Sequence, residues 1–176
     1  MSSLATRALD RAQELLPTKL RGTLMLRAWA LVKVPMILWA RPVVEELTPD
    51  RCVVRIPLRR RTKNHQNALY IGAYTVGADV AGGLLAMEAS RSRKRDVTLI
   101  FKDMKAEFLA RGEDDVWFTC EEGPAIRSAV EQAATTGERV NLPVRITATV
   151  PRKRGDRAIA TFVLTLSLKR TAKKGA

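Results

Sequence analysis

Two hydrophobic periods alternate along this chain, one of two residues and one near 3.6, and their order defines the elements. Val140, Leu142, Val144, Ile146, Ala148 and Val150 hold every second position, as do Ala160, Phe162, Leu164, Leu166 and Leu168. Each run has the pattern of a strand with one face against a core. The basic residues 151–157 turn the chain between them. Residues 43–47 and 51–59 flank Thr48, Pro49 and Asp50 as an expected hairpin, in which Cys52, Val54, Ile56 and Leu58 alternate with Val53, Arg55, Pro57 and Arg59. Pro57 suits a strand end or an edge because it has no N–H for a ladder. Further strands are expected near residues 97–108 and 116–120. A helix opened by Pro124 and closed before Gly137 follows them.

The helical period is clearest over residues 72–90. Ala73, Val76, Val80, Leu84 and Met87 fall on one face, which predicts a helix against a core. Gly77, Gly82 and Gly83 should each cost about 1 kcal/mol relative to Ala inside a helix. They are expected where a neighbouring backbone approaches closely, as when a sheet wraps the helix. Asp79 lies at the margin of the apolar stripe, in line with Gly72 and beside Val76 and Gly83, where an unpaired carboxylate is costly to bury. Two shorter helices are expected upstream. One is capped by Ser3, carries Leu4, Ala8, Ala12, Leu15 and Leu16, and ends at Pro17; the other carries Leu20, Leu24, Ala28, Leu31 and Val32. A long helix enclosed by antiparallel strands is an α+β architecture.

Composition narrows the function. A chain of 176 residues with 46% apolar and 28% charged positions is one domain with a real core, neither disordered nor built around a membrane span. Cys52 and Cys120 both sit in apolar strand patterns, too few for a disulfide scaffold or a zinc site. Residues 1–17 include Asp10 and Glu14 and no continuous apolar run, so no secretory signal is expected and the cytoplasm is the default compartment. The net charge of +13 is distributed over 59–63, 91–95, 152–154 and 169–174. Nucleic-acid binding is one reading of that charge. Against it stand the 5% aromatic content and the lack of any recognition motif. Contact of residues 19–39 with an anionic membrane surface is another reading. Arg27, Lys33 and Pro35 interrupt that segment well short of the ~20 residues needed to span a bilayer.

Asn64 precedes Gly72 by eight residues and Asp79 follows it by seven. This spacing resembles the active-site segment of PaaI-like hotdog-fold acyl-CoA thioesterases, and residues 57–61 and 101–108 extend the likeness over residues 40–170. Ile71 stands where that family usually pairs a second glycine, the His often found just before Gly72 is absent, and Thr62 replaces a common Asn. The resemblance implies a hotdog domain over residues 38–170, with a helical extension over 1–37 and a basic tail over 171–176. It also implies a homodimer, or a dimer of dimers, whose sheets join edge to edge and whose sites draw on both chains. The implied reaction is hydrolysis of acyl-CoA or a related thioester, with no cofactor and no metal. Asp79 would be general base or nucleophile, and the N–H groups of Gly72 and Ala73 would hold the oxyanion. Asn64 would hold the water or the carbonyl, His65 and Asn67 would line the pocket, and Arg60, Arg61 and Lys63 would meet the coenzyme A phosphates.

Alternatives stand beside these roles. Asp79 can instead be a structural carboxylate bonded to loop amides or to an arginine of a partner chain, and His65 and Asn67 can simply form the loop. Glu88 is expected to pair with Arg91, and Trp29, Trp39 and Trp117 to serve as core or interface residues. His65 is the sole histidine, and neither a nucleophile elbow nor a Walker loop is present, so a catalytic triad, a metal centre and nucleotide hydrolysis are not expected. A non-catalytic protein that binds acyl-CoA or a lipid is the principal alternative to a thioesterase.

Overall fold

The computed structural model describes residues 18–92 and 96–171. The helix expected over residues 4–16 and the basic residues 172–176 lie outside them. In chain order the elements are α1 (Thr18–Lys33), α2 (Pro35–Ala40), β1 (Val43–Leu47), β2 (Cys52–Ile56), α3 (Ile71–Ser92), β3 (Val97–Phe108), β4 (Val116–Cys120), α4 (Gly123–Thr136), β5 (Val140–Thr149), α5 (Pro151–Arg154) and β6 (Ala158–Arg170). Six antiparallel strands form one sheet in the order β1-β2-β4-β5-β6-β3. Helix α3 packs on the sheet, and the whole is the hotdog architecture.

The alternating runs become strands as expected, and the two longest pair along their length from Val140–Leu168 to Thr149–Ala158. β2 stops at Ile56, one residue before Pro57. Cys52 and Cys120 face each other across the β2–β4 ladder as free, buried thiols. Burial raises both above the ordinary thiol range, Cys120 to about 11. Pro35 does more than interrupt a helix: it occupies the first turn of α2, a position that needs no N–H. Arg41 then closes α2 in the left-handed conformation, φ 50°. Leu26, Ala30, Ile37 and Ala40 join the same core as the sheet and α3.

The close backbone approach expected at the three glycines is found at none, and only Gly77 has a tight neighbour, which is a side chain. A Cβ on Gly77 would overlap the Phe118 ring of β4, so the helix lies against the sheet there only because the side chain is missing. At Gly82 and Gly83 an added Cβ would make ordinary contacts, 3.5 Å from Val144 and 3.4 Å from Phe101. Nor do Leu84 and Met87 belong to the core. Leu84 is half-buried and Met87 exposed, because the helix face they share with Asp79 and Gly83 turns from the sheet toward α1 and α2.

The two sheet edges differ. β1 is short and bulged, and α1 covers it: the Thr23 hydroxyl accepts the Val44 N–H at 2.9 Å and donates to the Lys19 carbonyl at 2.8 Å. β3 runs for 12 residues with an open edge. A bulge between Phe101 and Met104 keeps Leu99, Phe101, Met104, Ala106 and Phe108 opposite Leu168, Leu166, Leu164, Phe162 and Ala160, so one face of β3 is apolar throughout. From Met104 onward that apolar face is exposed.

Gly77→Ala is expected to lose stability. Overpacking against Phe118 costs roughly 1–3 kcal/mol, which exceeds the gain of about 1 kcal/mol in helix propensity. Gly82→Ala should instead gain up to about that propensity difference. Urea unfolding of the two variants measures the contrast, and equal midpoints would show that the Phe118 contact does not fix Gly77.

Candidate functional site

Asp79 lies in the middle of α3, away from the free amides of its first turn. Leu26 and Trp29 of α1, Ile37 of α2, Val80, Gly83, Leu84 and Met87 of α3, and Leu99 and Phe101 of β3 surround it in a pocket of about 360 Å³. Its carboxylate has no hydrogen-bond or ion-pair partner among the described residues. The loop-amide contacts that would make it a structural carboxylate are therefore not made among the described residues. Burial with no compensating cation pushes its pKa up to about 6. Gly83 keeps the space beside it open, since a Cβ there would stand 3.7 Å from Asp79 Oδ1.

The start of α3 supplies a different group. The Tyr70 carbonyl accepts the N–H of Ala73 at 2.9 Å and of Tyr74 at 3.1 Å, so the Ala73 amide is already committed. The amides of Ile71 and Gly72 have no backbone partner among the described residues. Tyr70 lies over Gly72, where a Cβ would come within 2.8 Å of the ring. Seven residues of helix separate Gly72 from Asp79, about 10.5 Å along the axis. One thioester carbonyl cannot meet both in a single chain.

The preceding loop is held by its own polar residues. The buried Thr62 hydroxyl donates to the Pro57 carbonyl at 2.6 Å and accepts the Arg59 N–H at 2.9 Å. Asn64 Oδ1 accepts the amides of Gln66 at 2.9 Å and Ala68 at 3.1 Å, leaving its amide nitrogen as the free end. Asn67 takes φ 58°, and its Oδ1 accepts from Lys63 Nζ at 2.8 Å. His65 is exposed. None of these four side chains lines the Asp79 pocket.

Arg60 and Arg61 line a separate cleft of about 830 Å³ together with Arg27, Trp39, Arg41, Arg55, Arg59 and Thr62. Buried Asp115 anchors one wall, accepting from Arg55 Nη1 at 2.7 Å and from the Leu58 N–H at 2.9 Å. Glu88 pairs with Arg91 at 2.8 Å, as its spacing predicts. Among the described residues no group of three His, Cys, Asp or Glu is placed to hold a metal, and no helix is long and apolar enough to cross a membrane.

Sequence reasoning placed Asp79 correctly on the margin of the apolar stripe but missed the walls of its pocket. Trp29, expected in a core or interface, faces the carboxylate's cavity instead. Its spacing from Leu26 on α1 was available as a signal. What that face would pack against was not.

Comparison with known proteins adds a family and a fold. A family described as Domain of unknown function (DUF4442) matches residues 22–164. Among solved structures, a Pseudomonas aeruginosa protein of unknown function named a probable thioesterase is 22% identical, with 89% of this chain and 97% of that one covered at a TM-score of 0.70. A thioesterase family protein from Silicibacter pomeroyi is 19% identical, with 87% and 99% covered at 0.60. A Chlorobaculum tepidum protein of unknown function is 10% identical, with 88% and 98% covered at 0.73. No curated protein matches the chain.

The raised pKa of Asp79 carries a sign for stability. Its folded value, about 6, lies above the model-peptide value of 3.8, so the folded state binds the proton more tightly and loses stability as pH rises between those values. Asp79→Asn should therefore raise stability at pH 7, by on the order of 1–3 kcal/mol, and change it little at pH 4. Thermal melts at the two pH values check this, and a variant destabilised at pH 7 would show that the carboxylate is compensated.

Proposed function

This chain belongs to the DUF4442 family, and we propose that it is a thioesterase in which Asp79 activates water against an acyl thioester. The observation that carries the reading is the unpartnered carboxylate in an apolar pocket, with its pKa raised to about 6. A general base works best when its pKa lies near the operating pH. Asp79 takes a proton from water as the oxygen attacks the thioester carbon. The tetrahedral intermediate collapses with cleavage of the C–S bond, and the proton passes from Asp79 to the departing thiolate, giving a carboxylic acid and a thiol.

The oxyanion needs a donor that the same chain cannot bring to Asp79. The open edge of β3 and its exposed apolar strip at Met104, Ala106 and Phe108 favour pairing with a second copy, which also removes an aggregation-prone edge. In such a dimer the N–H of the partner's Gly72 would meet the substrate held at Asp79, and Asn64 would offer its free amide nitrogen. Acyl-CoA is the substrate class proposed, with Arg60, Arg61 and Lys63 facing its phosphates.

The test is release of free thiol from a panel of acyl-CoA substrates. Turnover is expected in the unaltered protein, with kcat/KM rising through about pH 6 and level above it, because the base acts deprotonated. Asp79→Asn should lower kcat by about 10² to 10⁴ while far-UV circular dichroism is unchanged. Ala106→Arg should give monomers in sedimentation and lose turnover with them. Near-normal turnover in Asp79→Asn would sink the mechanism. Acyl-CoA binding without any thiol release would favour the non-catalytic binder.

A further inference from the structure

The cleft lined by Arg60 and Arg61, proposed above to face coenzyme A phosphates, has a wider chemistry, which extends that reading. Six guanidinium groups line it: Arg27 from α1, Arg41 at the end of α2, Arg55 from β2, and Arg59, Arg60 and Arg61 from the loop after β2. Two carboxylates offset them. Glu45 binds Arg55 at 2.6 Å but is also paired with Lys19, and Asp115 binds Arg55 at 2.7 Å and Arg59 at 3.3 Å while holding the Leu58 N–H. Arg41, Arg60 and Arg61 pair with no carboxylate among the described residues. Crowding of this kind is unfavourable unless an anion relieves it.

Three features show that the arrangement is held in place. Arg27 is fixed by donation to the carbonyls of Pro42 at 3.3 Å and Arg41 at 3.4 Å. Its pKa lies below the ordinary arginine value because of burial and the nearby charges of Arg41 and Arg55. Arg41 keeps φ 50°, the left-handed conformation that closes α2, which a residue bearing a side chain adopts only where its surroundings hold it. Trp39 lies on the cleft wall with 63% of its surface exposed, and the Arg61 guanidinium stacks over its ring at 5.5 Å.

We propose that this cleft binds a nucleoside polyphosphate, its phosphates between Arg41, Arg60, Arg61 and Arg27 and its base stacked with Trp39. Planar, fork-shaped guanidinium groups from three chain segments suit several phosphate oxygens at once. An exposed indole beside them suits a flat aromatic ring. The ligand can be a free nucleotide or the nucleotide end of a thioester carrier. Both present the same groups to the cleft. The N-terminal helices would then recognise ligand as well as cover the core, since Arg27, Trp39 and Arg41 all come from residues 18–41.

The experiment is calorimetry and tryptophan fluorescence on the full chain, with ADP, pyrophosphate, coenzyme A and phosphatidylglycerol vesicles as separate probes. ADP should bind saturably and quench fluorescence, and binding should weaken as salt rises. The double variant Arg41→Gln/Arg61→Gln should lose at least tenfold in ADP affinity with an unchanged circular dichroism spectrum. Trp39→Leu should weaken ADP more than pyrophosphate. Competition between ADP and coenzyme A would identify the carrier's nucleotide as the source, and binding without competition a free nucleotide; either supports the site. Asp79→Asn should keep full ADP affinity, so a failed thioesterase reading leaves this result readable. The proposal is overturned by absence of saturable ADP binding, by undiminished binding in the arginine double variant, by loss of ADP affinity in Asp79→Asn, or by binding to vesicles alone.

Discussion

An ionisable carboxylate held in an apolar cavity without a partner is the constraint on which the account rests. Burial of Asp79 favours its protonated form, and none of the described residues offsets this with a hydrogen bond or an ion pair. Proteins keep such groups when the perturbation has a use, and a base that titrates near neutrality is one such use. The rest of the molecule can be read as the means of holding that group in place. The sheet fixes α3 through the Gly77–Phe118 contact, while α1 and α2 supply Leu26, Trp29 and Ile37 as the outer wall.

The same helix sets a limit that shapes the assembly. An axial separation of about 10.5 Å between Gly72 and Asp79 places the proposed oxyanion donor and the proposed base on one rod but out of reach of one carbonyl. The proposed dimer would resolve this, and the long uncovered edge of β3 is the surface on which that proposal rests. The bulge at residues 101–104 matters here because it keeps the apolar face of β3 in register after the core ends. Fold geometry, edge chemistry and catalytic geometry thus favour the same arrangement.

Much of the fold was legible because alternation is a direct record of which strand face is buried. Val140 through Val150 and Ala160 through Leu168 carry that record without ambiguity, and Gly137 marks its helix end with φ 74°. The central helix was legible as a helix but not in its facing. Leu84 and Met87 share the stripe of Val80, yet the periodicity cannot say whether a sheet or two short helices will lie opposite. α2 was hidden because Pro35 reads as an interruption when it is also a good first helical residue. Asp79 was visible as a carboxylate out of place; its lack of partners was not, since that depends on every neighbour in space. The arginine cleft was half visible, as the run at residues 59–61, and its other half comes from Arg27 and Arg41, far away in sequence.

The most direct measurement is a titration of the Asp79 side-chain carboxyl by carbon NMR in the folded protein, assigned by comparison with Asp79→Asn. The account predicts a midpoint near 6. A midpoint near the ordinary aspartate value of about 4 would mean that the carboxylate is well solvated or paired, and would contradict the claim that an isolated, half-buried carboxylate defines this site.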